Sequence, residues 1–137
     1  MSNFDLSNKD LSGNDLSNTS LVGAKLCNTN FQGANLFEAN LTKADMTGCN
    51  LTDANLFGCR LIQAVLANAK LKDANLVGAN LSNANLSGAV LVNANLMRAN
   101  LFKANLSGAD LTGAKLSQAD LSDCNLAGAK LPADFKL

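Results

Sequence analysis

Four cysteines, eleven acidic side chains and no histidine bound the chemistry open to this 137-residue chain. Thiols at Cys27, Cys49, Cys59 and Cys124 could ligate a metal, pair as disulfides or attack an electrophile. None forms a CxxC pair, and without histidine there is neither a Cys-His nor a Ser-His base arrangement. The carboxylates are scattered rather than paired for acid–base work; Asp110 and Asp120 stand ten residues apart. There is no GxGxxG stretch and no Walker phosphate loop. These residues predict a protein that is not an enzyme, with no metal, no cofactor and no small-molecule substrate.

Charge narrows the partners. Eleven Lys and Arg balance eleven Asp and Glu, so nothing in the net charge favours nucleic acid or an anionic membrane. Lys70 and Lys72 make only a small basic patch, and no aromatic-basic alternation accompanies it. No stretch approaches the roughly 18 apolar residues that a bilayer span requires. The opening MSNFDLSNKDL has neither the basic nor the apolar segment of a secretory signal. The expectation is a soluble, cytoplasmic chain that binds no nucleic acid and no membrane. Its length suits a single domain over residues 1–137.

The elements that position these side chains follow a repeat of five. Its central residue, position i, recurs 26 times from Leu6 to Leu131 and is Leu except at Phe31 and Met46. Position i−2 is mostly Ala from residue 24 onward. Cys49, Cys59 and Cys124 replace Ala there, which points three thiols inward as small packed residues. Cys27 falls at i+1 and points outward. Position i−1 is Asn or Asp in 18 of 26 repeats, and i+2 holds all ten glycines.

Neither ordinary element buries this pattern. In a helix the leucines would spray around the axis, and in a flat strand an odd period sends successive leucines to opposite faces. Within one repeat, however, i−2 and i share one face while i−1 and i+1 share the other. That predicts a short extended side, apolar inward and polar outward, with a corner at i+2. Repetition winds the chain around its own leucines as a solenoid. Asn and Asp at i−1 would add side-chain bonds to nearby backbone.

The stretches ANLFEANLTKADMTG (34–48) and ANLVGANLSNANLSG (74–88) resemble the pentapeptide-repeat family, written A(D/N)LXX. The resemblance covers residues 4–131 and is closest to small stand-alone members of the cyanobacterial kind. It implies an all-β fold: a right-handed quadrilateral β-helix, or β-solenoid, with four repeats per coil and about six and a half coils. Members that protect or inhibit DNA gyrase look like duplex DNA, with a strongly acidic surface and usually a dimer. Here outward acids gather only at Asp5, Asp10 and Asp15, and later positions carry Lys25, Arg60, Lys70 and Lys115. A DNA-mimicking modulator of DNA gyrase or topoisomerase is therefore the alternative reading.

With four repeats per coil, residues twenty apart stack. One i+1 series then reads Ser17, Phe37, Phe57, Val77, Met97 and Ser117. Ile62 and Phe102 stand in the adjacent series, and Glu38 and Arg98 supply a polar rim. Phe37, Phe57, Val77, Met97, Ile62 and Phe102 are the expected interaction face, because a contiguous exposed apolar patch suggests a partner. The same ladder would also stabilise the stack by side-chain contact between coils. The expected function is a non-catalytic rigid scaffold acting by protein–protein contact or self-association, with a protein partner or a homodimer. At the C-terminus KLPADFKL breaks register, with Lys136 where the next central Leu was due. Residues 132–137 are expected to form a short cap through Pro132 and Phe135 or Leu137, and Phe4 or a partner copy to cover the first coil.

Overall fold

Left-handed backbone at every fifth residue sets the path of the chain. The structure is a computed structural model that describes residues 5–136. In it every i+2 residue from Asn8 to Gly128 has φ between 55° and 73°. Glycine enters that region freely and Asn or Asp at small cost, which explains the residue preference at this position. The chain turns there, and the next N–H donates back to the carbonyl of residue i, as Ala34 does to Phe31 at 2.9 Å.

Pairing partners lie twenty residues apart. Asp5 bridges Lys25, Lys25 bridges Asp45, and the register holds to Asp110 with Lys130, always parallel. Each group of four repeats thus brings the chain back over itself. The N–H of residue i donates forward to the next circuit, as Leu26 does to the Asp45 carbonyl at 2.7 Å. The N–H at i+2 also donates forward, as Asn28 does to Thr47 at 2.9 Å. The N–H at i−1 donates backward, as Asn50 does to Thr29 at 3.0 Å.

One N–H per repeat, at i+1, is left without a backbone partner. The Asn or Asp at i−1 supplies it: Phe37 N–H donates to Asn35 Oδ1 at 3.1 Å, and Ser87 N–H to Asn85 Oδ1 at 3.0 Å. Leaving such a group unpaired would cost free energy, so the motif's Asn or Asp completes the hydrogen-bond inventory. A hydroxyl at i+1 uses the same oxygen, as Thr42 Oγ1 does on Asn40 at 2.6 Å. Pro132 falls at i+1 after Lys130, which offers no such acceptor. Proline has no N–H to satisfy, so the position suits it.

The expected all-β class is corrected by these elements. Among the described residues there is no helix, and every pairing is an isolated bridge of single residues rather than a strand within a sheet. The right-handed quadrilateral β-helix, a β-solenoid of about six and a half coils, is not what the elements form. The cause is local. A two-residue turn whose second residue is left-handed interrupts the extended backbone in every repeat, so neighbouring bridges do not merge into strands. What stands instead is a stack of turns in a twenty-residue register.

The core lies inside the circuits. The i and i−2 residues from Leu21 to Ala114 are buried, Phe31 and Met46 included, with Thr29 the one polar member. Thr29 Oγ1 donates to the Leu6 carbonyl at 2.9 Å. Leu6, Leu11 and Leu16 at one end, and Leu116, Leu121 and Leu126 at the other, are only partly buried. Beyond the last circuit Pro132 is buried and its carbonyl accepts the Phe135 N–H at 3.0 Å. A hollow of about 920 Å³ there is lined by Thr112, Leu116, Leu121, Pro132 and Phe135. The covering roles expected of Phe4 and Leu137 lie outside the described residues.

Candidate functional site

The twenty-residue return sorts outward side chains into columns. Glu38 N–H donates to the Phe57 carbonyl, Gly58 N–H to Val77 and Gly78 N–H to Met97, so Phe37, Phe57, Val77 and Met97 stand on successive circuits. The Phe37 and Phe57 rings stack with centroids 5.4 Å apart and planes at 9°. Phe57 is 40% exposed, and the other three are half-buried. Ile62 and Phe102 belong to the neighbouring column, where Ser82 separates them. Lys103 Nζ sits 5.4 Å from the Phe102 ring centroid, within cation–π range. The structure therefore groups Phe37 to Met97 in one unbroken column and leaves Ile62 and Phe102 apart on its flank. On the opposite half Val90 and Leu131 are each 37% exposed, and Val65 and Val92 face out half-buried, but they form no unbroken column.

A second feature marks the same half. Six left-handed residues are neither Gly, Asn nor Asp: Glu38, Lys43, Gln63, Arg98, Lys103 and Gln118. Glu38, Arg98 and Gln118 follow the Phe37 column, and Lys43, Gln63 and Lys103 follow the Ile62 column. The columns of Asn8 and Gly13, on the other half, hold only Gly, Asn and Asp at these positions. An ordinary L-residue costs about 1–2 kcal/mol in this conformation. Strain of this kind collects where surface identity matters more than stability. The signal was present in the sequence as departures at i+2.

Six aspartates are tied to neighbouring hydroxyls and backbone N–H groups. The Ser12 hydroxyl holds Asp10 below the ordinary carboxylate range, and the hydroxyls of Ser17, Thr112 and Ser122 do the same for Asp15, Asp110 and Asp120. For Asp5 the Ser7 N–H is the main cause, and for Asp45 the Thr47 hydroxyl. All four cysteines are free thiols. Burial pushes Cys49 and Cys59 up to about 12, and Cys59 Sγ donates to the Leu36 carbonyl at 2.8 Å. Cys124, half-buried, makes the matching bond to Leu101. Cys27 points outward, half-buried, and desolvation raises it too. Such thiols pack rather than react. Among the described residues no group of three or more His, Cys, Asp or Glu could hold a metal ion. No helix among them is long and apolar enough to cross a membrane.

Comparison with known proteins places this geometry. A family model described as pentapeptide repeats (8 copies) matches residues 1–33, 15–53, 49–88 and 79–118. The crystal structure of alr5209, a pentapeptide repeat protein from Nostoc Pcc 7120, is 39% identical with a TM-score of 0.64. That match covers 68% of this chain and 78% of the other. A trypsin-treated form of QnrB1, a plasmid-mediated fluoroquinolone resistance protein, is 24% identical with a TM-score of 0.53. It covers 96% of this chain and 81% of the other. A pentapeptide repeat protein from the Arabidopsis thaliana thylakoid lumen is 32% identical over 82% of this chain and 68% of its own, with a TM-score of 0.37. The relatives thus include a plasmid-mediated protein, and the expected cyanobacterial kind is too narrow. Among curated proteins no sequence matches the chain.

Proposed function

The chain belongs to the pentapeptide-repeat family, and from that premise we propose that it acts without catalysis, as a rigid, cytoplasmic single-domain scaffold that works by protein contact. The contact half is the one carrying Phe37, Phe57, Val77 and Met97, flanked by Ile62 and Phe102. The observation behind this reading is a coincidence of position. The apolar column and all six costly left-handed residues share one half of the circuit. Aromatic residues, Met and Arg are the types enriched at interfaces, which fits Phe37, Phe57, Met97 and Arg98. Affinity capture with the wild-type chain and with the F37S/F57S variant tests it. The reading expects a protein held by the wild type and released by a variant that keeps its thermal midpoint above growth temperature. Equal capture by both baits would overturn it.

A second reading, a DNA-mimicking modulator of DNA gyrase or topoisomerase, draws on the shared fold with QnrB1, a fluoroquinolone resistance protein. Mimicry of duplex DNA calls for a dense acidic surface. Lys25, Arg60, Lys70 and Lys115 interrupt the i−1 columns here, and the net charge is zero. A gyrase supercoiling assay, with and without quinolone, separates the two: inhibition or protection by the chain supports the second reading.

A further inference from the structure

The Phe37 column and its flanking columns carry charges in a mirrored order. Along the bridges the i−1 column runs Asp15, Asn35, Asn55, Asn75, Asn95, Lys115, with opposite charges at its two ends and only Asn between them. The i+2 column places Glu38 and Arg98 on either side of Gly58 and Gly78. Between them the i+1 column runs Ser17, Phe37, Phe57, Val77, Met97, Ser117. All three columns share one midpoint, at the level between Phe57 and Val77. A two-fold axis lying in the contact plane at that level, perpendicular to the columns, reverses their order and keeps each column opposite itself. It sets Asp15 against the Lys115 of a second copy and Glu38 against its Arg98, each pair twice. It also sets Phe37 against Met97 and Phe57 against Val77.

We propose that this face is a self-complementary surface, and that its occupant is a second copy of the chain packed antiparallel across that axis. The inference rests on the contact reading above and names its partner. An isologous interface must satisfy i-to-j and j-to-i contacts at once, and the charge order here meets that condition. On no other side do opposite charges pair throughout; the Asp5 side offers no opposed charge pair at all. Applied to the Ile62 side, the same operation sets Lys43 against Lys103, and on the Asp10 side it brings Lys70 and Lys72 of both copies together at the axis. At the centre Gly78 leaves open space beside the exposed Phe57 ring, while the Glu38 side chain lies over Gly58. The chain exposes 6412 Å². Covering half of one of the four repeat rows on each partner hides roughly 1,600 Å² in total, the size of a standard specific interface.

Sedimentation equilibrium of the full chain across about 1–200 μM, with E38R, R98E and the E38R/R98E double variant, tests the proposal. Each exchange keeps a long side chain at its left-handed position, and unchanged thermal midpoints will show that folding is not the variable. The wild type dimerises. Each single variant opposes like charges and weakens the dimer about tenfold or more, and the double variant restores it to within about threefold. A monomeric wild type overturns the proposal, and so does a double variant as weak as the singles. If the wild type is monomeric while F37S/F57S still loses a captured protein, the self-pairing fails and the contact reading survives. If both fail, the contact reading falls as well.

Discussion

In the half of each circuit that carries the columns of Asn8 and Gly13, every left-handed position is Gly, Asn or Asp. In the half that carries the columns of Asn18 and Gly23, six of twelve are Glu, Lys, Gln or Arg. Both halves use the same turn, the same bridge register and the same buried Leu and Ala. Their backbone requirements are therefore alike, and the difference lies in what the outward residues are for. One half is optimised for turning. The other accepts strain and shows apolar side chains, Phe57 at 40% exposure above all. On the proposed contact reading, leucines hold the circuit together everywhere while one side carries the contact residues.

The largest effects should be blind to that difference. Leu66 and Leu76 are both fully buried, one on each half. L66A and L76A should each cost about 2–5 kcal/mol, and by similar amounts, in urea unfolding. Unequal costs would show that the halves differ in core packing as well as surface. Next come the left-handed positions, where the halves should part. E38G, K43G and K103G should each raise stability by about 1 kcal/mol by relieving strain. N28G and N68G on the other half should change it by a few tenths of a kcal/mol, since Asn already tolerates the conformation. Thermal unfolding of the two sets distinguishes them.

The smallest effect concerns acid. Asp10, Asp15, Asp110 and Asp120 are held low by the hydroxyls they accept. A carboxyl whose folded value lies below its unfolded value stabilises the fold above the unfolded value. That stabilisation is lost as pH falls through the folded one. These carboxyls lie in the first and last circuits, whereas most middle repeats use Asn, which does not titrate. Lowering pH from about 5 to 2 should therefore reduce the protection of amides against exchange, relative to their intrinsic rates, at both ends of the stack before its middle, equally on both halves.

Much of this was legible in the residues. The period of five, the inward Leu and Ala, the turn at i+2 and the outward Phe37 to Met97 series all follow from spacing and side-chain type. The three inward cysteines were legible too, because Cys49, Cys59 and Cys124 stand where Ala recurs. The secondary structure was not. Alternation of inward and outward residues is shared by a strand and by a two-residue turn with a one-residue bridge, and only backbone angles separate them. The strain at Glu38 and Arg98 showed in the residues only as departures from Gly, Asn and Asp at i+2, and the left-handed φ made it a cost. The role of Asn at i−1 needed the hydrogen-bond inventory, which showed that a single N–H per repeat awaits it.

Phe57 and Val90 allow the most direct test, because they are similarly exposed apolar residues on opposite halves, at 40% and 37%. Sedimentation equilibrium of F57S and V90S, side by side with the wild type, measures which half carries the contact. The account predicts that F57S loses self-association and that V90S keeps it. Loss in V90S with retention in F57S would contradict the assignment, and equal behaviour of the two would remove the distinction between the halves.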